Sequence, residues 1–164
     1  MPKPAYTFEV TLLSGLMDDA FLEENPVVSR TIRIGGEYTL NALHKAIFKA
    51  FDRFDEHMYE FQFGGKRPMD PKARCFRRRP PDDEAFFMDE KPPEDAITAT
   101  IGSLGLKAGD RFFYWFDFGD DWHHEIKVKE IGTVMARETR PKVIACVGQS
   151  PPQYPNFEED DGEA

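Results

Sequence analysis

Two segments near the start of the chain alternate apolar and polar side chains with a period of two, which is the pattern of a half-buried β-strand. The first covers residues 6–13 and the second covers residues 27–34. Residues 14–26 between them contain glycine, asparagine and proline, and they are predicted to form a loop. On the second strand Arg30 shares a face with apolar residues, so we expect it near the rim of the core.

A helical pattern follows the second strand. Thr39 is a favourable residue for the N-cap of a helix. The apolar side chains after it recur every three or four positions: Leu40, Leu43, Ile47, Phe51 and Phe54. This spacing predicts one helix of about 15 residues. A third strand is predicted at residues 58–63, where aromatic side chains occupy alternate positions.

Residues 66–99 break this regularity. They contain six prolines, and a basic stretch at residues 66–79 gives way to an acidic stretch at residues 82–95. We predict a long, mostly irregular loop, which at this length is either functional or mobile. Opposite charge runs of this kind usually solvate a surface and partly neutralise each other.

The last third of the chain returns to strands. Residues 111–118 are aromatic on both faces, as in a central strand that is buried on both sides. A turn at residues 119–121 leads into an alternating strand at residues 122–131, and another strand is predicted at residues 142–147. The tail, residues 149–164, is rich in proline and then acidic, so we expect it to be flexible.

The order of these elements is β-β-α-β, a long loop, a hairpin and a final strand, which predicts an α+β fold. We expect a single domain over residues 1–148, with a β-grasp-like mixed sheet and one main helix packed on it. The flexible acidic tail then covers residues 149–164. A chain of 164 residues has the length of one domain that can bury a substantial core.

Charge and cysteine content narrow the classes of function. The formal net charge is −9, so the chain repels phosphate backbones, and a protein or small-molecule partner is favoured over nucleic acid. The sequence has no apolar run that could span a bilayer and no apolar region of a signal peptide at its start. With only two cysteines, Cys75 and Cys146, we expect a cytoplasmic protein that does not bind membranes, and a disulfide between the two stays open.

The densest polar cluster lies at residues 117–125, around the turn between the last long strands. Strand parity places His124 on the buried face with Trp122, while His123 points outward. One interpretation is a metal site, since imidazole and carboxylate groups suit zinc, manganese or iron. The other is hairpin chemistry, in which glycine and aspartate make the turn and a carboxylate satisfies the buried imidazole.

Two further histidines lie on apolar faces of predicted elements. His44 falls in the apolar stripe of the helix, and His57 shares its parity with the aromatic side chains of the third strand. A single inward-facing histidine is usually a hydrogen-bonded core residue, but three of them, with His124, suggest a shared polar pocket. The candidate site comprises His44, His57, Asp117, Asp120, Trp122 and His124, and all of these except Trp122 are candidate metal ligands.

Motifs of well-known enzymes are absent or incomplete. Residues 117–119 spell the Asp-Phe-Gly motif of protein kinases, but the glycine-rich loop and the His-Arg-Asp loop are missing. The sequence also has no P-loop, no dinucleotide-binding fingerprint and no nucleophile elbow. A catalytic role is therefore not indicated by any complete motif.

Two segments resemble the motifs of a known family. Residues 38–47, followed by 54–57 and 60–61, resemble the signature "tL..LH..I...f.w...Hl.eF", and residues 113–124 resemble "f.Y.YDFGD.W.H". Both motifs are those of the Ri-plasmid (pRiA-type) open-reading-frame-three-like family, which is also labelled as an insertion-element passenger, TnpR-like group. The resemblance covers roughly residues 6–130.

The resemblance implies a compact α+β domain of bacteria and archaea with no established activity. A serine recombinase would need a nucleophilic serine in an arginine-rich site and a DNA-binding domain, and neither is evident in the sequence. The family positions that carry over are His44, His57, Asp117, Gly119, Asp120, Trp122 and His124. Relatives often carry Cys-Pro-Pro-Glu-Asp near the C-terminus, where this chain has Gly148-Gln-Ser-Pro-Pro152 after Cys146, which weighs against a thiol or metal site there.

These observations lead to three hypotheses. The first, which we favour, is a non-enzymatic interaction or ligand-binding module. The second is a metal-dependent hydrolase or nuclease that uses the Asp and His cluster at residues 117–124. The third is a mobile-element-associated protein that binds nucleic acid through the basic stretch at residues 66–79. The sequence requires no cofactor, and a divalent metal would fit only the second hypothesis.

Overall fold

The computed structural model describes residues 2–78 and 93–155 of the chain. Its helices are α1 (Asp19–Glu24) and α2 (Leu40–Ala50). Short 3-10 turns at Ile101–Leu104 and Ala136–Glu138 precede the sixth and eighth strands. The strands, in chain order, are β1 (Pro2–Ser14), β2 (Ser29–Gly35), β3 (Tyr59–Phe63), β4 (Arg74–Arg77), β5 (Glu94–Asp95), β6 (Arg111–Phe116), β7 (Trp122–Met135) and β8 (Lys142–Val147). No helix in these two ranges is long and apolar enough to cross a membrane.

The eight strands form one mixed sheet in the order β5-β4-β3-β6-β7-β1-β2-β8. Neighbouring strands are antiparallel except β4 and β5, which are parallel. The α2 helix packs on this sheet as the main helix of an α+β fold. The finer prediction of a β-grasp-like sheet is not confirmed, since β1 lies between β2 and β7 and pairs antiparallel with both.

The core lies between α2 and the sheet and is strongly aromatic. Each large apolar side chain that is fully buried there stabilises the fold by about 1.5–3 kcal/mol. The largest fully buried side chains include Trp122, Tyr114, Phe8, Phe51, Phe61, Phe76, Phe112 and Phe116. The period-two segments predicted at residues 6–13, 27–34, 58–63 and 122–131 are confirmed as parts of β1, β2, β3 and β7, because each supplies alternate side chains to this core.

The predicted loop at residues 14–26 is wrong in its centre, where α1 forms. The Asp18 side chain caps this helix by accepting a hydrogen bond from the Phe21 backbone N–H at 2.9 Å. Phe21 is partly buried and packs against the core. With only six residues, α1 is too short to show a helical period in the sequence.

The α2 helix begins as predicted and ends earlier than predicted. The Thr39 hydroxyl oxygen accepts a hydrogen bond from the Ala42 N–H at 3.2 Å, so Thr39 is the N-cap. The helix ends at Ala50 after 11 residues. Phe54, the last residue of the predicted apolar stripe, is 73% exposed.

A left-handed residue causes this early end. Asp52 has a φ of 57°. The Arg53 N–H donates to the Phe48 carbonyl and the Asp52 N–H donates to the Lys49 carbonyl, both at 3.0 Å. This pair of hydrogen bonds is a Schellman motif, which closes the helix and turns the chain back toward the core. It fixes the place from which the Arg53 side chain departs.

Arg30 is buried, so the prediction of a rim position is wrong. Its Nη1 donates to the carbonyls of Ser29, Val147 and Gly148 at 2.7, 3.1 and 3.1 Å. Its Nε donates to the Ala50 carbonyl at the end of α2, also at 3.1 Å. Backbone oxygens therefore satisfy the guanidinium, and the carbonyl end of a helix favours a cation.

Residues 66–99 are not an irregular loop throughout. β4 pairs with β3, and β5 pairs with β4, so both ends of this segment are attached to the sheet. Residues 79–92 of the predicted loop lie outside the described residues. Cys75 on β4 and Cys146 on β8 lie near opposite edges of the sheet, so they do not form a disulfide with each other.

The described part of the predicted tail, residues 149–155, packs on the turn after α2. The Gln153 side-chain oxygen accepts hydrogen bonds from the backbone N–H groups of Phe54 and Asp55 at 2.9 and 3.1 Å. The Gln153 amide nitrogen donates to the Asp55 carbonyl at 2.7 Å. Hydrogen bonds therefore attach this part of the tail to the turn after α2, and residues 156–164 lie outside the described residues.

Candidate functional site

The turn between β6 and β7 is built around Asp117. Its φ of 65° is a left-handed conformation that residues other than glycine rarely adopt. Its Oδ1 accepts hydrogen bonds from the backbone N–H groups of Gly119 and Asp120 at 3.0 and 3.1 Å. The Asp121 N–H donates to the Asp117 carbonyl at 2.7 Å. The carboxylate of Asp117 therefore holds the turn together.

His57 lies beside this turn, close to the surface. Its Nε2 is 3.4 Å from Asp117 Oδ2 and 2.6 Å from the Tyr154 hydroxyl oxygen. That hydroxyl donates to Asp55 Oδ2 at 2.6 Å, and the hydrogen bond raises the pKa of Tyr154 to about 12. Burial and the neighbouring Asp117 carboxylate raise the pKa of Asp120. The end of the hairpin is thus an acidic, hydrogen-bonded network that includes one imidazole.

His44 is a buried core residue on α2. Its Nδ1 lies 2.6 Å from the Tyr114 hydroxyl oxygen and its Nε2 lies 2.9 Å from Glu56 Oε1. Its ring stacks on Tyr59 with 3.9 Å between the ring centroids. Burial lowers the pKa of His44 to about 4, so the ring is neutral at pH 7. A proton on Nε2 then donates to Glu56, and Nδ1 accepts from Tyr114.

His124 is fully buried on β7, as strand parity predicts. Its Nδ1 is 3.1 Å from the Tyr114 carbonyl oxygen, which can only accept, so Nδ1 carries the proton. Its Nε2 then accepts a hydrogen bond from Arg53 Nη2 at 2.9 Å. Burial, and secondly the Arg53 charge, lower the pKa of His124 well below its usual range. Both ring nitrogens are therefore engaged within the protein.

Arg53 lies at the centre of a buried cluster that contains His124 and three aromatic rings. Its guanidinium carbon lies 5.1, 5.0 and 5.1 Å from the ring centroids of Phe51, Phe116 and Trp122. These are distances at which an aromatic face attracts a cation. Burial lowers the pKa of Arg53 to about 10, so the guanidinium stays protonated at pH 7. The side chain is only 7% exposed.

Two buried N–H groups of this cluster have no hydrogen-bond acceptor in the part of the chain that the structure describes. They are Arg53 Nη1 and Trp122 Nε1, and we call them the donor pair. Trp122 is fully buried. A buried polar group without a partner costs about 1–3 kcal/mol, so native proteins rarely leave one in place without a reason.

The donor pair includes one predicted site residue, Trp122, and one that sequence reasoning missed, Arg53. Arg53 lies within the predicted helix of about 15 residues but not on its apolar stripe. Its burial depends on the left-handed Asp52, and aspartate is a much weaker signal for that conformation than glycine. The unusually aromatic core was the one hint of a buried cation, and it does not say which arginine is involved.

The candidate metal ligands fall into separate groups. His57 and Asp117 come within 4 Å of each other, and Asp120 lies next to them. His44 and His124 are held apart from that end of the hairpin by their own hydrogen bonds. Across residues 2–78 and 93–155 no three His, Cys, Asp or Glu side chains form a group that could hold a metal ion.

The opposite face of the hairpin carries an aromatic stack. The Trp115 and Phe118 rings stack with 4.0 Å between centroids, and the Arg77 guanidinium lies 4.7 Å from the Phe118 centroid. Trp115 Nε1 donates to Asp121 Oδ1 at 2.8 Å. The two indoles of the protein therefore differ, since the Trp115 N–H has an acceptor and the Trp122 N–H has none among residues 2–78 and 93–155.

Arginines of the basic stretch at residues 66–79 contact carboxylates. Arg74 pairs with Glu94, and Arg77 pairs with Glu60 at 2.6 Å. A third arginine, Arg67, lies 3.8 Å from Asp70. These pairs reduce the positive charge that the stretch could offer to a phosphate backbone.

A family model described as plasmid pRiA4b ORF-3-like protein matches residues 20–154. The chain belongs to this family. The resemblance drawn from the two sequence motifs is thereby confirmed. This pRiA4b ORF-3-like chain is 26% identical over 132 residues to the uncharacterized protein y4hQ of Sinorhizobium fredii. The match covers 78% of the chain and 59% of y4hQ.

Among solved structures, the pRiA4b ORF-3-like chain is similar to the protein of unknown function MM3350 from Methanosarcina mazei Go1. The TM-score is 0.69 at 19% identity, over 92% of this chain and 73% of that chain. At this identity the likeness shows the fold alone. Neither relative is described with an activity, so the proposals that follow rest on this chain's own residues.

Proposed function

We propose that the pRiA4b ORF-3-like chain is a non-enzymatic ligand-binding module whose ligand binds at the donor pair. The observation that carries this proposal is the unpartnered state of Arg53 Nη1 and Trp122 Nε1 among the described residues. A ligand that accepts both hydrogen bonds would remove the cost of leaving them unmade. A cytoplasmic location, with a small-molecule or protein partner in preference to nucleic acid, is part of the same proposal.

The buried groups that could perform acid–base chemistry are engaged in hydrogen bonds within the protein. His44 and His124 use both ring nitrogens in hydrogen bonds, and burial lowers the pKa of each, so neither is a ready proton acceptor near pH 7. Asp117 uses its carboxylate to hold the turn. The unpartnered groups of the buried cluster are two donors, which suits binding better than turnover.

A metal-dependent hydrolase is the less supported alternative. It would need His124 or His44 to leave its present partners and join His57, Asp117 and Asp120. Each of the two buried rings would then give up hydrogen bonds worth about 0.5–1.5 kcal/mol apiece before any metal is bound. The arrangement among the described residues favours the binding module.

A ligand screen tests the proposal directly. Thermal unfolding would be followed for the wild type and for Trp122→Phe, in the presence of small neutral, cationic and anionic compounds and of divalent metals. A ligand at about 100 times its Kd adds about 2.7 kcal/mol, which raises the melting temperature of a domain this size by about 5–10 °C. At least one compound should stabilise the wild type more than Trp122→Phe.

Trp115→Phe is the matched control, because it removes an indole N–H that already has an acceptor. It should respond to ligands as the wild type does. A screen in which no compound stabilises the wild type, together with metal-dependent turnover of a phosphodiester or peptide, would refute the binding module in favour of the hydrolase.

A further inference from the structure

Arg53 is the cation of the donor pair, and among the described residues it has no carboxylate in contact with it. The half-buried Arg77 pairs with Glu60, and the buried Arg30 donates to four backbone carbonyls. Among the described residues Arg53 has no carboxylate within 4 Å, and its Nη1 has no acceptor of any kind. Its hydrogen-bonding partner is the neutral imidazole of His124, and its other neighbours are aromatic faces. A buried charge without a partner of opposite sign is strongly unfavourable.

Asp117 is the carboxylate whose charge acts most strongly on the Arg53 guanidinium, but its oxygens already interact with other groups. Its Oδ1 accepts hydrogen bonds from two backbone N–H groups, and its Oδ2 lies 3.4 Å from His57 Nε2. If Asp117 turned to Arg53, the backbone donors of the turn would lose their acceptor. Residues 2–78 and 93–155 therefore supply no counter-ion to Arg53 at contact distance.

The number and the charge of the unpartnered donors suit a carboxylate. A carboxylate has two oxygens that accept hydrogen bonds, and its hydrogen bonds with a guanidinium are among the strong, charge-assisted ones. Here one donor belongs to the guanidinium and the other to the indole whose ring lies 5.1 Å beneath it. An anion bound here would also be a counter-ion for Arg53, whereas a neutral acceptor would leave the charge of Arg53 without one.

The surroundings select against larger and more highly charged anions. Trp122 is fully buried and Arg53 is nearly so, which restricts the ligand to a small one. The hairpin end beside them carries Asp117, Asp120 and Asp121, and the whole chain has a net charge of −9. A doubly charged phosphate would be repelled more strongly than a monoanion by these groups.

We propose that Arg53 Nη1 and Trp122 Nε1 bind a small monocarboxylate, with one N–H donated to each carboxylate oxygen. This inference rests on the proposed function and names the chemical class of its ligand. The acid is a free small molecule, because the burial of both donors leaves little room for a chain attached to the carboxylate.

The two indole N–H groups allow a direct test by NMR. In ¹H–¹⁵N spectra of the full chain, each tryptophan contributes one indole signal. Sodium acetate would be added to about 50 mM at constant pH and ionic strength, since a ligand of four heavy atoms reaches micromolar affinity at best. The Trp122 signal should move downfield and saturate, and the Trp115 signal, whose N–H already bonds Asp121, should stay in place.

Three probes separate the possible ligands. Acetamide has the shape of acetate without its charge and should leave the Trp122 signal unmoved. Inorganic phosphate should bind at least about ten-fold more weakly than acetate. N-acetylglycine carries the same carboxylate on a peptide-like body, so weaker binding supports a free acid, and tighter binding would keep the carboxylate but assign it to a peptide C-terminus.

Two variants at the site guard against misfolding. Arg53→Lys keeps the charge and loses the planar fork, and it should weaken acetate binding about ten-fold or more. Trp122→Phe keeps an aromatic ring and loses the N–H, and it should weaken acetate binding by a similar factor as judged by backbone amide signals near residue 53. Trp115→Phe should bind acetate as the wild type does.

The outcomes distinguish this inference from the proposed function. If acetate leaves the Trp122 signal unmoved, while a neutral compound moves it and loses affinity in Trp122→Phe, the carboxylate assignment is wrong and the binding module stands. If neither acetate nor any compound of the screen moves the Trp122 signal, both are wrong, and buried water satisfies the donor pair. An equal response of the wild type and Arg53→Lys would also overturn the inference.

Discussion

Gly15 is the residue against which the Trp122 indole is packed, and we predict that Gly15→Ala destabilises the protein. A methyl group built at Gly15 would lie 2.1 Å from Cε3, 2.5 Å from Cζ3 and 2.7 Å from Cδ2 of Trp122. Carbon atoms in ordinary contact are about 3.5–4.0 Å apart. The ring or the end of β1 must therefore withdraw by more than about 1 Å.

The cost follows from how little the indole can move. Trp122 is fully buried, with the Arg53 guanidinium 5.1 Å from its ring centroid. Forcing extra atoms into a packed core of this kind typically costs about 1–3 kcal/mol. For a domain of this size that corresponds to a fall in melting temperature of about 2–12 °C. Urea unfolding followed by far-UV circular dichroism measures the free energy without relying on tryptophan emission.

Gly119→Ala is the matched control for this prediction. A methyl group at Gly119 meets only Asp117 Oδ1, at the ordinary contact distance of 3.5 Å, so its unfolding free energy should stay within about 0.5 kcal/mol of the wild type. If Gly15→Ala also stays within that margin, the packing of the indole on Gly15 described above is incorrect.

Three further predictions concern the histidine core, the hairpin turn and the docked segment. Burial lowers the pKa of His44 to about 4, so between about pH 6.5 and pH 4 the unfolded chain takes up a proton that the folded chain does not. The unfolding free energy should therefore fall as pH falls through this window, and His44→Gln should reduce that loss by up to about 3 kcal/mol in urea titrations at several pH values. Asp117→Asn keeps an oxygen acceptor and tolerates a left-handed backbone, so it should lower the free energy of unfolding by less than about 1 kcal/mol. Asp117→Ala loses the acceptor and should lower it by about 2–4 kcal/mol. Equal losses in thermal unfolding would argue against the role of the carboxylate in the turn. Gln153→Ala removes three hydrogen bonds to residues 54–55 and should speed amide hydrogen exchange there, while unchanged exchange would contradict the docking of residues 149–155.

Most of the sheet could be predicted from alternation, because each of these strands places one face on an apolar core. The predictions that were wrong have two different causes. Arg30 was expected at the rim because the neighbouring sequence does not show its hydrogen-bond acceptors. One of them, the Val147 carbonyl, lies 117 residues away in the chain. The α1 helix was missed because it is short and is stabilised by its Asp18 cap and the contact of Phe21 with the core.

The candidate site was predicted in part. Parity correctly placed His124 in the core. One interpretation of the hairpin expected glycine and aspartate to make a turn at residues 119–121, and the aspartate whose carboxylate holds this turn is Asp117, just before it. Sequence could not show that His44 and His124 would each find separate partners, because those partners come from other elements. Arg53 was missed for the same reason, since only the folded chain reveals that three aromatic rings surround it.

The length of α2 constrains this protein in a way that its side chains do not. The Schellman motif at the end of α2 holds Arg53, and the length of α2 sets the distance and rotation between this motif and the N-cap at Thr39. Each helical residue adds about 100° of rotation and about 1.5 Å of rise. Inserting or deleting one residue between Thr39 and Ala50 would swing the guanidinium away from its aromatic neighbours even if every site residue were kept. We therefore expect relatives that keep this cluster to vary in length elsewhere, for instance between β1 and β2, and to keep the spacing from the helix cap to the buried arginine unchanged.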